Sequence, residues 1–202
     1  MPDAPRLKPL LPDELDESQR AVYDAIVGGP RAAGRGAAGL SRPDGSLVGP
    51  FNAFLHAPAL GDKIQATGAV ARFGTELPRR LGELAILCVA KEWMAQFEWW
   101  AHARLAKAEG LDDEVIEAIR MGDEPPFAEE AELCVYAFAK ELLGPAHRVP
   151  TVLYRRAVDL LGERQVVELV GIIGYYCLVS GILNTFAVEL PEGVDAPFDE
   201  PA

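Results

Sequence analysis

Apolar residues recur along most of the chain at the three- and four-residue spacing of amphipathic helices, and no stretch alternates strictly as a half-buried strand does. Proline or aspartate opens several of these segments, as at Pro78 and Asp112, and glycine follows their ends, as at Gly110 and Gly144. The predicted helices cover residues 16–27, 58–73, 78–93, 94–109, 112–121, 127–143, 150–161 and 163–188, with a short helical or turn element at 50–58. The sequence therefore predicts an all-α fold, a helical bundle.

Composition divides the chain into three parts. Residues 1–49 combine the first helix with an arm over 28–49 that is rich in Gly, Arg and Ala, and that is either mobile or draped over a neighbour or a site. Residues 50–192 form the main helical domain, and residues 193–202 form an acidic tail. Two apolar helices open alike, with Arg79 four residues before Glu83 and Arg164 four residues before Glu168. Either an internal helical repeat or coincidence would explain this similarity.

Charge and cysteine usage narrow the class of protein. The formal net charge is −12, so phosphate backbones and anionic membranes would be repelled, and nucleic acid is not an expected partner. The three cysteines form no Cys-x-x-Cys pair, which is typical of a reducing cytosol. No secretory signal is recognisable, and the longest apolar stretch, residues 166–183, contains Glu168 and is interpreted as a core helix. These features predict a soluble, cytoplasmic protein.

Three polar side chains on apolar helices are the strongest candidates for chemistry. Glu98 and His102 are four residues apart and therefore share one face of a helix whose neighbouring positions are apolar. Glu83 lies in an almost wholly apolar helix, so its carboxylate is also expected to face the interior. Two acids and an imidazole in an apolar interior suit proton transfer. The alternatives are a structural ion pair that fixes helix packing and a divalent metal site.

The spacing of these residues resembles that of the alkylhydroperoxidase D-like family, which includes the carboxymuconolactone decarboxylases. The resemblance rests on Glu83, on His102 nineteen residues later, and on the Gly110-Leu111 turn with the acidic helix start that follows it. In the redox branch a Cys-x-x-Cys pair precedes the histidine. Here those two positions are Ala95 and Glu98, and Glu98-x-x-x-His102 is similar to the motif of the decarboxylase branch.

The resemblance implies an all-helical protomer that assembles into a homotrimer or homohexamer and needs no metal or organic cofactor. It also implies a lyase of the decarboxylase type, with Glu83, Glu98 and His102 as catalytic residues. The substrate would be a small carboxylic acid or lactone, as in the catabolism of aromatic compounds. Thiol peroxidase activity is disfavoured, because that chemistry passes through a dithiol and its disulfide.

Five further residues carry side chains suited to holding such a substrate: Arg79, Asn52, His56, Tyr176 and Asn184. Arg79 would bind a carboxylate through two hydrogen bonds, although pairing with a nearby glutamate, Glu76 or Glu83, would equally account for it. His56 is otherwise a surface histidine, and Tyr176 a core tyrosine.

Overall fold

The computed structural model describes residues 6–32 and 39–199. Within these residues the chain forms helices and a single isolated β-bridge between Ser41 and Leu47, so the all-α prediction is confirmed. A 3-10 turn at Pro12–Glu14 precedes the α-helices. These are α1 (Glu17–Val27), α2 (Phe51–His56), α3 (Pro58–Phe73), α4 (Arg79–Glu92), α5 (Gln96–Ala108), α6 (Asp113–Met121), α7 (Glu130–Leu143) and α8 (Thr151–Thr185).

The helix ends follow from local backbone chemistry. Asp16 caps α1 by accepting a hydrogen bond from the backbone of Gln19, whose side chain accepts one from Asp16 in return. The predicted helix over 94–109 begins only at Gln96, because Met94 adopts a left-handed conformation with φ 48°. The two helices predicted over 150–188 are continuous in α8 except at Gly162, where φ 80° and ψ 158° break the helical geometry.

The chain folds into two compact units. One unit contains the described part of residues 1–74 together with residues 182–189. Its core is a cluster of apolar side chains from α1, α2 and the described part of the arm: Val22, Ile26, Leu40, Leu47, Phe54 and Leu55. The described ends of the arm are thus anchored in this core, while residues 33–38 of the predicted arm lie outside the described residues.

The other unit contains residues 75–181 and the described part of residues 190–202. Helix α4 is at its centre and packs against α5, α6 and α7. Every residue of α4 from Leu81 to Ala90 is buried, including Glu83. A helix that is buried all round explains why its sequence is apolar on every face.

The C-terminal segment is held against this unit. Phe198 is buried, and its ring centroid lies 5.1 Å from that of Trp99 on α5. The side chain of Gln96 forms two hydrogen bonds with the backbone of Phe198, one donated to its carbonyl (2.8 Å) and one accepted from its N–H (2.9 Å). The predicted acidic tail is therefore anchored at Phe198 beside the first turn of α5.

Helix α8 is long and apolar enough, by length and composition, to cross a membrane. Half of its most apolar stretch is nevertheless buried inside the protein. A core helix of a soluble protein meets the same criterion of length and composition. This burial agrees with the interpretation of residues 166–183 as a core helix.

Candidate functional site

The structure brings Glu83, Glu98 and His102 together in the unit centred on α4. His102 Nδ1 lies 2.6 Å from Glu83 Oε2, and His102 Nε2 lies 3.0 Å from Glu98 Oε1. The three side chains are only 4–6% exposed. Glu83 reaches the histidine from α4, whereas Glu98 and His102 are adjacent on one face of α5. The imidazole is therefore clamped between two buried carboxyl groups, an arrangement that we call the Glu–His–Glu triad.

Hydrogen-bond chemistry determines how many protons the triad holds. An ionised carboxylate only accepts, so each ring nitrogen needs a proton between it and its carboxyl partner. Both contacts are satisfied by two protons shared among Glu83, Glu98 and His102. They are held either as an imidazolium between two carboxylates or as a neutral imidazole with one carboxylic acid. Both forms carry one net negative charge and differ only in where a proton sits.

The charges around His102 favour its protonated form. Burial alone lowers the pKa of His102, but the charges of Glu83 and Glu98 and their hydrogen bonds outweigh it, so the pKa is raised above its usual value. Glu98 also lies in the first turn of α5, where the backbone N–H groups favour negative charge. The triad therefore keeps its bridging proton above the pH at which a free histidine loses it.

This raised pKa predicts a pH-dependent stability. A group whose pKa is higher in the folded state contributes stability that is full below its unfolded pKa, about 6.5, and is lost as the pH rises through the folded pKa. We expect the stability advantage of the wild type over His102→Gln to fall above pH ~6.5, by at most about 1.4 kcal/mol per pH unit. Urea unfolding at several pH values measures it, and an advantage that grows with pH would contradict the assignment.

Tyr176 is the candidate substrate-binding residue whose ring contacts the triad. Its ring centroid is 4.9 Å from that of His102, with an interplanar angle of 77°. Tyr176 is buried, and Tyr175 packs edge-on against it. The tyrosine therefore covers the imidazole from α8.

Arg79 lies at the surface of the same unit and forms an ion pair with Glu109, 2.9 Å from Nε to Oε1. Glu109 is not one of the two partners expected from the sequence, Glu76 and Glu83. Glu76 pairs with Arg164 instead, at 2.6 Å. A surface ion pair of this kind is readily exchanged for another anion, since it contributes little to stability.

Asn52 and His56 belong to the other unit and hold the N-terminal segment. The Asn52 side chain accepts a hydrogen bond from Leu10 N (3.0 Å) and donates one to Lys8 O (3.1 Å). His56 Nε2 lies 2.9 Å from the same Lys8 carbonyl and donates to it. The third candidate in this unit, Asn184, is exposed near the end of α8. The observed contacts of Asn52 and His56 thus give them a structural role.

A metal site is not what the triad geometry resembles. Ligands of one ion must converge on a common point, whereas Glu83 and Glu98 bind opposite nitrogens of the same ring. Among the described residues, no group of three His, Cys, Asp or Glu side chains is arranged to hold an ion.

A cavity of about 650 Å³ lies elsewhere in this unit. It is lined by residues of α4, α7 and α8 and of the loop after α7: Glu92, Trp93, Leu142, Leu143, His147, Val170, Ile173, Gly174 and Cys177. None of the triad residues is among them. This cavity was not predicted from the sequence, because its walls come from helix ends that are far apart in the chain.

The cysteines are free and unactivated. Cys88 is buried in α4, and burial raises its pKa to about 12. Burial likewise raises the pKa values of Cys134 and Cys177. A nucleophilic or redox cysteine needs a lowered pKa instead.

Comparison of the sequence with family models and with curated proteins gives no match. Solved structures with a similar fold include an uncharacterised peroxidase-related protein from Ralstonia eutropha JMP134, named as an alkylhydroperoxidase AhpD core. It is 12% identical, has a TM-score of 0.71, and the match covers 93% of each chain. A protein of unknown function from Agrobacterium tumefaciens, assigned only provisionally to antioxidant defence as AhpD, is 17% identical with a TM-score of 0.63. That match covers 71% of this chain and 98% of the other. The chain therefore has the alkylhydroperoxidase D-like fold that its sequence resembles.

Proposed function

We propose that this protein is a cofactor-independent enzyme of the carboxymuconolactone decarboxylase type, which transfers a proton to or from a small carboxylic acid or lactone. The observation that carries the proposal is the clamped imidazole: each ring nitrogen of His102 lies within 3.0 Å of a carboxyl oxygen, of Glu83 on one side and Glu98 on the other, in a buried site. A proton shift within the triad leaves its net charge unchanged, so either Glu98 or His102 can hold the proton that is donated. This property suits a general acid that is restored after each turnover.

The proposed reaction is loss of CO₂ from an acid whose carboxyl group is β or vinylogous to a carbonyl. The carbon–carbon bond to the carboxylate breaks, CO₂ leaves, and the bonding electrons form an enolate. The triad then donates one proton to carbon, from Glu98 or His102, and regains it from water. Isomerisation of a related lactone uses the same groups, with one proton removed and one returned.

Access to the triad requires movement of a neighbouring side chain. Tyr176 packs edge-on against His102, and all three triad side chains are nearly inaccessible to solvent. Rotation of Tyr176 away from the imidazole would open the ring edge to a substrate. An apolar surrounding of this kind favours expulsion of CO₂ from a bound carboxylate.

Peroxide reduction is not the proposed activity. The positions where the redox branch carries its cysteine pair hold Ala95 and Glu98. Burial raises the pKa of each of the three cysteines that are present. Neither sequence nor electrostatics thus provides the reactive thiolate that peroxide requires.

A second candidate is a non-catalytic protein in which the triad serves helix packing. The burial of all three side chains, and the cavity's location away from them, favour this alternative. A buried ion pair that links α4 to α5 would fix their relative position.

The function is tested by offering the wild-type protein a panel of β-keto acids and carboxylated unsaturated lactones in D₂O. We expect CO₂ release from at least one compound, with one deuterium delivered to the carbon that lost the carboxyl group. Mass spectrometry of the product measures this. If no compound in the panel turns over faster than in buffer, the packing role is favoured instead.

We further propose that the protein is a cytoplasmic homotrimer or homohexamer. Two large apolar side chains of α8, Val152 and Val167, are more than 60% exposed, and we expect a second copy to cover them. We expect light scattering after gel filtration to give three or six times the chain mass of 21.8 kDa. Replacing Val152 with glutamate should lower that mass, and replacing the exposed Thr67 with glutamate is the control. A monomer at micromolar concentration would contradict assembly.

A further inference from the structure

The cavity of about 650 Å³ has the size and lining of a small-molecule site. Its walls are mostly apolar, with Leu142 and Leu143 from the end of α7 and Val170 and Ile173 from α8. Glu92, Trp93 and His147 are exposed, so the cavity opens to solvent. A ligand bound here would bury an apolar body against these walls and leave one end near the rim.

The polar groups around the cavity are hydrogen-bond acceptors. His147 Nδ1 lies 3.3 Å from the carbonyl of Leu142 and donates to it, which leaves Nε2 as an acceptor in the neutral ring. The Glu92 carboxylate forms no ion pair with any residue that the structure describes. The indole N–H of Trp93 is the exception, and it is already donated to the thiol of Cys177. A ligand must therefore bring its own donors.

The electrostatics of the cavity favour positive charge. Helix α4 ends at Glu92 and α7 ends at Leu143, so the carbonyl ends of two helices lie at its wall, and each carries partial negative charge. No Lys or Arg belongs to the lining. The neighbouring Lys91 directs its ammonium group to the ring of Phe198, 5.1 Å away. The Trp93 ring adds a face suited to a cation.

We propose that this cavity binds a small organic cation: a protonated amine with an aromatic or branched alkyl body. The ammonium group would lie near Glu92, His147 Nε2 and the carbonyl end of α7, and the body would pack against Trp93 and Ile173. The proposal does not rest on the proposed function, because none of the lining residues belongs to the Glu–His–Glu triad. The ligand proposed here is a cation, whereas the substrate expected at the triad is an acid, so one compound would not suit both sites.

The experiment uses three probes that share a phenyl ring and a similar chain and differ in the charge of the end group: 2-phenylethylammonium, 2-phenylethanol and 3-phenylpropanoate. The full chain is labelled with 5-fluorotryptophan, which gives one ¹⁹F resonance for each of its three tryptophans. The Trp93 resonance is assigned with Trp93→Phe. We expect the ammonium probe to shift this resonance with a dissociation constant on the order of 1 mM, the alcohol to bind more weakly and the carboxylate most weakly.

Two glycines on α8 provide a matched pair of variants. A Cβ atom added at Gly174 or at Gly171 would meet no atom of another part of the chain within 4 Å, and both residues are helical, so either position is suited to a leucine substitution. Gly174 lines the cavity and Gly171 does not. We expect Gly174→Leu to abolish the shift of the Trp93 resonance and Gly171→Leu to retain it. Glu92→Gln should weaken binding of the ammonium probe about 2- to 5-fold, and Glu114→Gln on α6 should leave it unchanged.

Three results would overturn the proposal. The first is equal binding of the three probes, or tightest binding of the carboxylate. The second is a shift that survives Gly174→Leu. The third is a Trp93 resonance that moves with protein concentration before any probe is added, because a second copy of the chain would then occupy the cavity.

Discussion

Replacing His102 with leucine is expected to lower the free energy of unfolding by about 3–5 kcal/mol. The substitution removes the group that neutralises Glu83 and Glu98 and leaves two carboxyl groups in a site where their side chains are 4–5% exposed. One carboxyl group must then take up a proton, or both remain charged without a partner, and either change costs folding free energy. Urea unfolding at pH 7 measures the loss.

A control on the same helix distinguishes the effect of leaving buried carboxyl groups without a partner from the effect of losing an ion pair at the surface. Lys107 on α5 pairs with Asp113 at 2.6 Å, with both side chains more than 60% exposed. Lys107→Ala should change the free energy of unfolding by at most about 1 kcal/mol. If His102→Leu costs no more than Lys107→Ala, the triad is not held as the structure indicates.

A triple variant then asks whether the triad is there for stability. Replacing Glu83, Glu98 and His102 together by leucine removes every charge from the site and should recover most of the stability lost in His102→Leu. A buried ionic cluster that stability does not require is a costly feature to maintain. Recovery of stability without activity would therefore point to chemistry as its use.

Much of the fold follows from the sequence, because amphipathic spacing and glycine or proline punctuation are local signals. Helix α3 occupies the predicted residues 58–73, and the break at Gly162 lies where the predicted helices were divided. The sequence predicts a start for α5 two residues before the observed one at Gln96, because the left-handed conformation of Met94 has no signature in its side chain. Local sequence signals thus predict which segments are helical more accurately than they predict where each helix begins and ends.

The two helices that open with similar sequences show why the tertiary role of a residue does not follow from a sequence motif. Glu83 and Glu168 both stand four residues after an arginine in similar apolar helices. Glu83 binds His102 in the interior, whereas Glu168 accepts hydrogen bonds from the backbone N–H groups of Glu76 and Leu77, both at 2.9 Å. The difference comes from what each helix packs against. The i, i+4 pair of Glu98 and His102 was foreseeable, since both residues lie on one helix.

The remaining predictions depended on long-range placement that periodicity does not encode. Asn52 and His56 share a helix face, yet their partner is the Lys8 carbonyl, more than forty residues earlier in the chain. The burial of Phe198 was likewise not predicted, because its segment has the composition of an acidic tail. In each case the partner is a backbone group or a ring from another element, and the sequence carries no trace of that pairing.

Replacing Glu98 with glutamine is expected to lower kcat/KM for CO₂ release by about 10²- to 10⁴-fold while the protein remains folded. Glutamine has nearly the same shape and keeps a hydrogen-bonding group beside His102 Nε2, but it cannot exchange a proton with the ring. The variant therefore removes the second carboxyl group from proton transfer without emptying the site. Deuterium incorporation into the product, followed with the substrate identified from the panel, gives the rate.

The matched control is Glu132→Gln on α7. Glu132 is nearly as buried as Glu98, at 5% against 3% exposed, and pairs with Arg80 at 3.3 Å, so it tests the loss of a buried carboxylate outside the triad. We expect Glu132→Gln to lower stability and leave kcat/KM nearly unchanged, and Glu98→Gln to do the reverse. If both variants lose stability and neither loses activity, the triad serves packing. If the triad transfers protons, only the substitution at Glu98 should lower kcat/KM, although the two glutamates are similarly buried.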